Sequence, residues 1–152
     1  MELIAQQAGR RFWLLRLGSP YQTLIPKLGS TYVAVVLACD PSIAPEQQAF
    51  ISTQLVETDC RYMIAWGIDA TNWDTSVDYA FIASDPNYDP PDERFLMTTW
   101  HDNESISELV WFACNGTNFG LHEFRDYMFI LIGEDTAIES ELLTSLRDVM
   151  SG

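Results

Sequence analysis

The chain has 152 residues, which fits one compact domain of about 100–150 residues or slightly more. An apolar fraction of 47% with 20% charged residues excludes a disordered or fibrous chain. A net charge of −14, from 22 acids against 8 bases, excludes nucleic acid and anionic membrane as partners, because both are held by Lys and Arg on phosphates. The same charge favours a basic protein partner, a divalent metal, or solubility alone.

The charge is unevenly spread. Residues 1–30 hold Arg10, Arg11, Arg16 and Lys27 against Glu2, and the remainder carries 21 acids against four bases. Cys39, Cys60 and Cys114 are dispersed, with no CxxC and no metal-type spacing. The N-terminus has no apolar signal region, and no run reaches the roughly 18 apolar residues of a membrane span. Together these features predict a cytoplasmic protein in a reducing compartment.

In residues 1–30, Phe12-Trp13-Leu14-Leu15 is flanked by Arg11 and Arg16, and Gly18, Pro20, Pro26 and Gly29 follow. The expectation is an arm packed on the main domain, with one short element that adds an edge strand. Residues 31–152 read as a single α/β domain. Thr31–Cys39 is a continuous, β-branched apolar run, the pattern of a strand covered on both faces. Pro45 suits the first turn of a helix that runs to about Asp59. Arg61–Trp66 is a second buried strand, stopped by Gly67. Asn72 or Asp74 can cap a short helix with Trp73, Val77, Ala80 and Phe81 on its buried side. The segment 84–92 is an acidic, proline-rich loop, and Phe95–Thr99 is the third strand. Ser105-Ile-Ser-Glu108 is a capping box that opens a helix with Ile106, Leu109, Val110, Ala113 and Cys114 on one stripe. Trp111 falls one step off that stripe, and Asn115-Gly116 ends it. His122 lies in a loop and reads as structural. Tyr127–Ile132 is the fourth strand. Thr136-Ala-Ile-Glu139 forms a second capping box, before a helix lined by Ile138, Leu142, Leu146, Val149 and Met150.

Strands alternating with helices predict parallel pairing through right-handed crossovers. The expected architecture is a three-layer α/β/α sandwich, flavodoxin-like or Rossmann-like, with a mostly parallel sheet of four to five strands. Ligands in such folds bind outside the C-terminal edge of the sheet. The residues that follow the strands are Cys39-Asp40, Trp66 with Asp69, Trp73 and Asp74, Thr99-Trp100-His101 with Glu104, and Gly133-Glu134-Asp135. One rim would then gather carboxylates, a histidine and three tryptophans.

His101 with Glu104 can act as an acid–base pair, with Asp69 as a third catalytic candidate; alternatively His101 is a surface histidine near a helix start. Asp40, Asp69, Glu104 and Glu134 are oxygen ligands suited to a divalent metal at the rim, or simply helix caps. Acid-pocket phosphotransfer chemistry needs a rim lysine, and the one lysine, Lys27, lies outside the strand–helix core. Trp66, Trp73 and Trp100 can stack a ligand ring, seat a partner, or fill the core. Cys39 could be activated by His101 only if their strands are neighbours. GxGxxG, GxxxxGK[ST] and GxSxG are all absent, so no cofactor is implied.

The wording Ala65-Trp-Gly-Ile-Asp69, Trp73-Asp74, Met97-Thr-Thr-Trp-His101 with Glu104, and Trp111-Phe-Ala113 resembles a small bacterial family of unknown function across roughly residues 31–135. The resemblance implies a bacterial cytosolic origin and one shared site for these segments, and it carries no catalytic role. Three functions follow as expectations. The first is an acidic interaction protein, of the immunity or inhibitor kind or a subunit of a defence complex. The second is a small enzyme or ligand binder at the rim, and the third is a homodimer.

Overall fold

A computed structural model describes residues 1–120 and 123–151; His122 lies outside them. In chain order the elements are β1 (Glu2–Gln7), β2 (Arg10–Leu17), β3 (Tyr32–Ala38), α1 (Pro45–Glu57), β4 (Cys60–Gly67), α2 (Ala70–Ala83), β5 (Met97–His101), α3 (Ile106–Asn115), β6 (Asp126–Ile132) and α4 (Thr136–Ser151). Six strands form one sheet in the order β1-β2-β6-β3-β4-β5. Among the described residues β1 alone runs antiparallel to its neighbour, and the other pairings are parallel. No helix among the described residues is long and apolar enough to cross a membrane.

Alternate residues of the central strands serve two separate cores. On β3, Tyr32, Ala34, Val36 and Ala38 join Ile51 and Leu55 of α1 and Trp73 and Val77 of α2. Val33, Val35 and Leu37 join Leu109 and Val110 of α3 and Leu142 and Leu146 of α4. All seven residues of β3 and of β6 are buried, which is why β3 and the Tyr127–Ile132 part of β6 are continuously apolar rather than alternating.

The sheet has six strands rather than four to five, because residues 1–30 contribute two. Ala8 and Gly9 both take positive φ and make a two-residue turn, so β1 and β2 form a hairpin. β2 then enters the sheet beside β6: Phe12 and Leu14 face one core, and Leu15 and Leu17 the other. The connection from β2 to β3 passes over β6 without a helix. Tyr21 and Ile25 cover the sheet there, and Gln54 of α1 holds the segment by accepting from the Ile25 amide at 2.5 Å.

Other boundaries shift for local reasons. α2 begins at Ala70, ahead of Asn72 and Asp74, with Asp69 in the left-handed region as its N-cap residue. β5 starts at Met97 and runs through Trp100 and His101, which therefore belong to an edge strand rather than to the loop after it. Ser105 caps α3, its hydroxyl accepting from the Glu108 amide at 3.1 Å. At α4 the cap is Asp135, which accepts from the Ile138 amide at 3.0 Å, while Glu139 pairs with Arg16 at 2.7 Å.

Candidate functional site

The parallel strands β2, β6, β3, β4 and β5 end on one edge, and most of its polar groups are satisfied internally. Asp40 follows β3. Its carboxylate accepts from the Tyr21 hydroxyl at 2.5 Å and from the Ser42 amide and hydroxyl at 2.8 and 2.6 Å. The Ser42 and Tyr21 hydrogen bonds hold the Asp40 pKa below the ordinary carboxylate value, and burial beside Asp40 raises that of Tyr21. The chain turns tightly here. A Cβ on Gly133 would lie 2.9 Å from the Asp40 Cβ, and one on Gly67 would strike the Ala38 carbonyl oxygen.

A second cluster forms where β5 meets α3. His101 is largely buried, its ring 4.6 Å from that of Phe112. Its Nδ1 lies 2.9 Å from Glu104 Oε1, and its Nε2 lies 3.1 Å from the Thr99 hydroxyl. A carboxylate only accepts, so the Glu104 contact is made by a proton on Nδ1, while the donor in the Thr99–Nε2 contact depends on the ring's tautomer. Trp66 donates from Nε1 to the Glu104 carbonyl at 2.7 Å, fixing the turn before α3. Tyr62 stands behind Thr99; burial raises its pKa, and the Thr99 hydroxyl partly offsets that rise. The group is a hydroxyl–imidazole–carboxylate chain held against aromatic rings.

The remaining sequence candidates lie elsewhere. Trp73 is 1% exposed and packs in the core, so it cannot line a rim. The helical phase that puts Trp73 and Val77 on one stripe decides its position. Asp69 is exposed, and its carboxylate makes no hydrogen bond or ion pair with another described residue. Asp74 is half-buried; burial and the neighbouring Asp78 raise its pKa while Thr98 opposes them. Trp100 is 52% exposed on the edge strand, and Trp111 is 58% exposed on α3. Cys39 follows β3 and His101 ends β5, with β4 between the two strands, so the neighbour condition for an activated thiol fails. Burial and the charge of Asp135 push the Cys39 thiol up to about 11. Among the described residues no group of three or more His, Cys, Asp or Glu is placed to hold a metal; Asp40, Asp69, Glu104 and Glu134 do not converge.

A family described as Domain of unknown function (DUF7684) matches residues 12–149. The chain belongs to this family. The match begins within β2 and ends within α4, so the DUF7684 unit includes the strand that precedes residue 31. No curated protein matches the sequence.

One polar centre of this DUF7684 protein has no motif to announce it. Asp126, at the start of β6, is fully buried. It accepts from Arg11 at 2.9 Å, Trp13 Nε1 at 3.0 Å and Ser30 at 2.6 Å. Burial alone would raise its pKa, but the three donors bring it below the ordinary value. The only hint in the sequence was an acid placed directly before an apolar run.

Proposed function

We propose that this DUF7684 protein is an acidic interaction protein of the bacterial cytoplasm, acting as an immunity-type or inhibitor-type partner, or as a subunit of a defence complex, for a basic protein. The observation that carries the reading is the pair of tryptophans, Trp100 and Trp111, more than half exposed on consecutive elements β5 and α3. Large aromatic surface left in water is the usual core of a protein interface, and the −14 charge supplies long-range attraction to a basic partner. A three-layer α/β/α sandwich of flavodoxin-like or Rossmann-like type is the scaffold we assign, with helices α1 and α2 opposed to α3 and α4. The test is native mass spectrometry of the protein purified gently from its own cells, at two salt concentrations. A basic protein should co-purify, leave at raised salt, and be lost from Trp100→Ala and Trp111→Ala variants of unchanged melting temperature. An association indifferent to moderate salt and to both substitutions would remove the reading.

A second reading rests on the Thr99–His101–Glu104 chain. In a small enzyme His101 would take the Thr99 proton while Glu104 held the imidazole in place. Hydrolysis of an activated ester, compared between the native chain, Thr99→Val and His101→Ala, decides it. Equal rates in all three would leave the cluster as a structural clamp.

A further inference from the structure

A cleft of about 460 Å³ opens at the N-terminal ends of β4 and β5, at the opposite end of the sheet from the rim. Two of the chain's eight bases, Arg61 and Arg94, line it. Arg61 is the extra residue of a bulge, since Tyr32 pairs with Cys60 and Val33 with Tyr62. Bulges of this kind re-aim a side chain, and this one sends the guanidinium under the ends of α1 and α2. Arg61 is only 8% exposed. Its Nη1 donates to the Cys60 carbonyl at 3.1 Å, and its Nη2 lies 3.6 Å from the Asp59 carboxylate. Its Nε has no hydrogen-bond partner among the described residues. A guanidinium offers five donors in a planar fork that fits two carboxylate oxygens, and burying one with donors unused is costly. Arg94 makes no ion pair with another described residue.

The rest of the wall says which anion fits. Glu57 and Asp59 also face the cleft and balance the two guanidiniums. The carbonyl ends of α1 and α2 add partial negative charge. A phosphate dianion would meet that negative charge, whereas a molecule with one carboxylate and one ammonium group would match both halves. Phe81 and Leu96 supply an apolar wall. The volume lies within the range of small-molecule sites.

We infer that this cleft binds a free amino acid, its carboxylate paired with the buried guanidinium of Arg61 and within reach of Arg94, its ammonium facing Glu57 and Asp59. An apolar or aromatic side chain would rest on Phe81. The experiment is a titration of the isotopically labelled full chain, followed by proton–nitrogen correlation spectra that include the Arg61 Nε–H. Pools of the twenty L-amino acids, sodium acetate and inorganic phosphate are added separately. The expected result is a saturable shift of the Arg61 Nε–H and of residues 57–61 and 80–84 with at least one pool, with acetate and phosphate at least tenfold weaker. Arg61→Met should abolish the shifts; if that variant does not fold, Arg94→Gln should weaken binding at least tenfold. No saturable shift with any amino-acid pool would overturn the inference. So would phosphate or acetate binding as tightly as the best pool, or unaltered binding by folded Arg61→Met or by Arg94→Gln.

Discussion

The two ends of the sheet handle charge differently. At the C-terminal edge, where parallel sheets carry their sites, Asp40, Asp135, Glu104 and His101 each have a partner within the chain. At the N-terminal edge two charged groups are buried: Asp126 is fully matched by three donors, and Arg61 keeps a donor unmatched. The comparison teaches that topology locates the edge where a site is expected, while hydrogen-bond accounting locates the groups still able to take a ligand. Among the described residues that accounting marks both ends, Arg61 Nε at the N-terminal one and Asp74 Oδ1, on the helix that follows β4, at the C-terminal one.

Substitutions can break or sharpen that contrast. The largest effect belongs to the core that separates the two ends. Trp73→Ala should lower stability by about 3–5 kcal/mol in urea unfolding, since it removes a fully buried indole. A loss below about 1 kcal/mol would contradict its core position. Asp126→Ala should cost about 3 kcal/mol by leaving Arg11, Trp13 and Ser30 without their acceptor. Its pH dependence has a definite sign. The folded-state pKa of Asp126 lies below the unfolded value of about 3.9, so the carboxylate contributes fully above that value. The contribution falls away as pH drops through the folded-state pKa. The stability gap between the native chain and Asp126→Asn should therefore narrow between neutral pH and pH 3.

At the C-terminal edge the expected effects are smaller. Tyr21→Phe should cost about 1 kcal/mol, because Asp40 keeps both Ser42 donors. A loss as large as that of Asp126→Ala would mean that the two edges are equally dependent on buried charge. Trp100→Ala should change stability by less than about 0.5 kcal/mol, since the ring is already half in water. That small value is what makes it a clean probe of partner binding.

Much of this architecture is legible in the sequence, and the misreadings have physical causes. The buried strands β3, β4 and β6 announce themselves because both faces are covered, so apart from Arg61 and Asp126 near their starts they are continuous apolar runs. The Ser105 cap is equally plain, because serine three residues before an acid satisfies a local geometry. The sequence pattern places β5 two residues early because an edge strand needs no continuous apolar run. Phe95-Leu96 looks more strand-like than Trp100-His101, yet Leu96 is buried outside any ladder. Trp73 was legible in two conflicting ways, by distance from a strand end and by helical phase, and the phase prevailed. β2 was hardest to read, since its partner β6 lies more than a hundred residues away and nothing local specifies that pairing. The Asp126 centre shares this cause, being assembled from Arg11, Trp13, Ser30 and Asp126 by that same pairing. The bulge at Arg61 left no trace in the local pattern.

The placement of β2 also bears on the order of events during synthesis. Its parallel neighbour is β6, and Arg11 reaches Asp126 across 115 positions of chain. A ribosome releases the hairpin β1–β2 well before residues 126–132 exist, so an early strand is among the last to find its place. Until then Phe12, Trp13, Leu14 and Leu15 have no sheet to join. The long loop that must close makes this a slow step by the usual relation between contact separation and folding rate. The nascent hairpin is accordingly the segment most exposed to chaperones and to premature association.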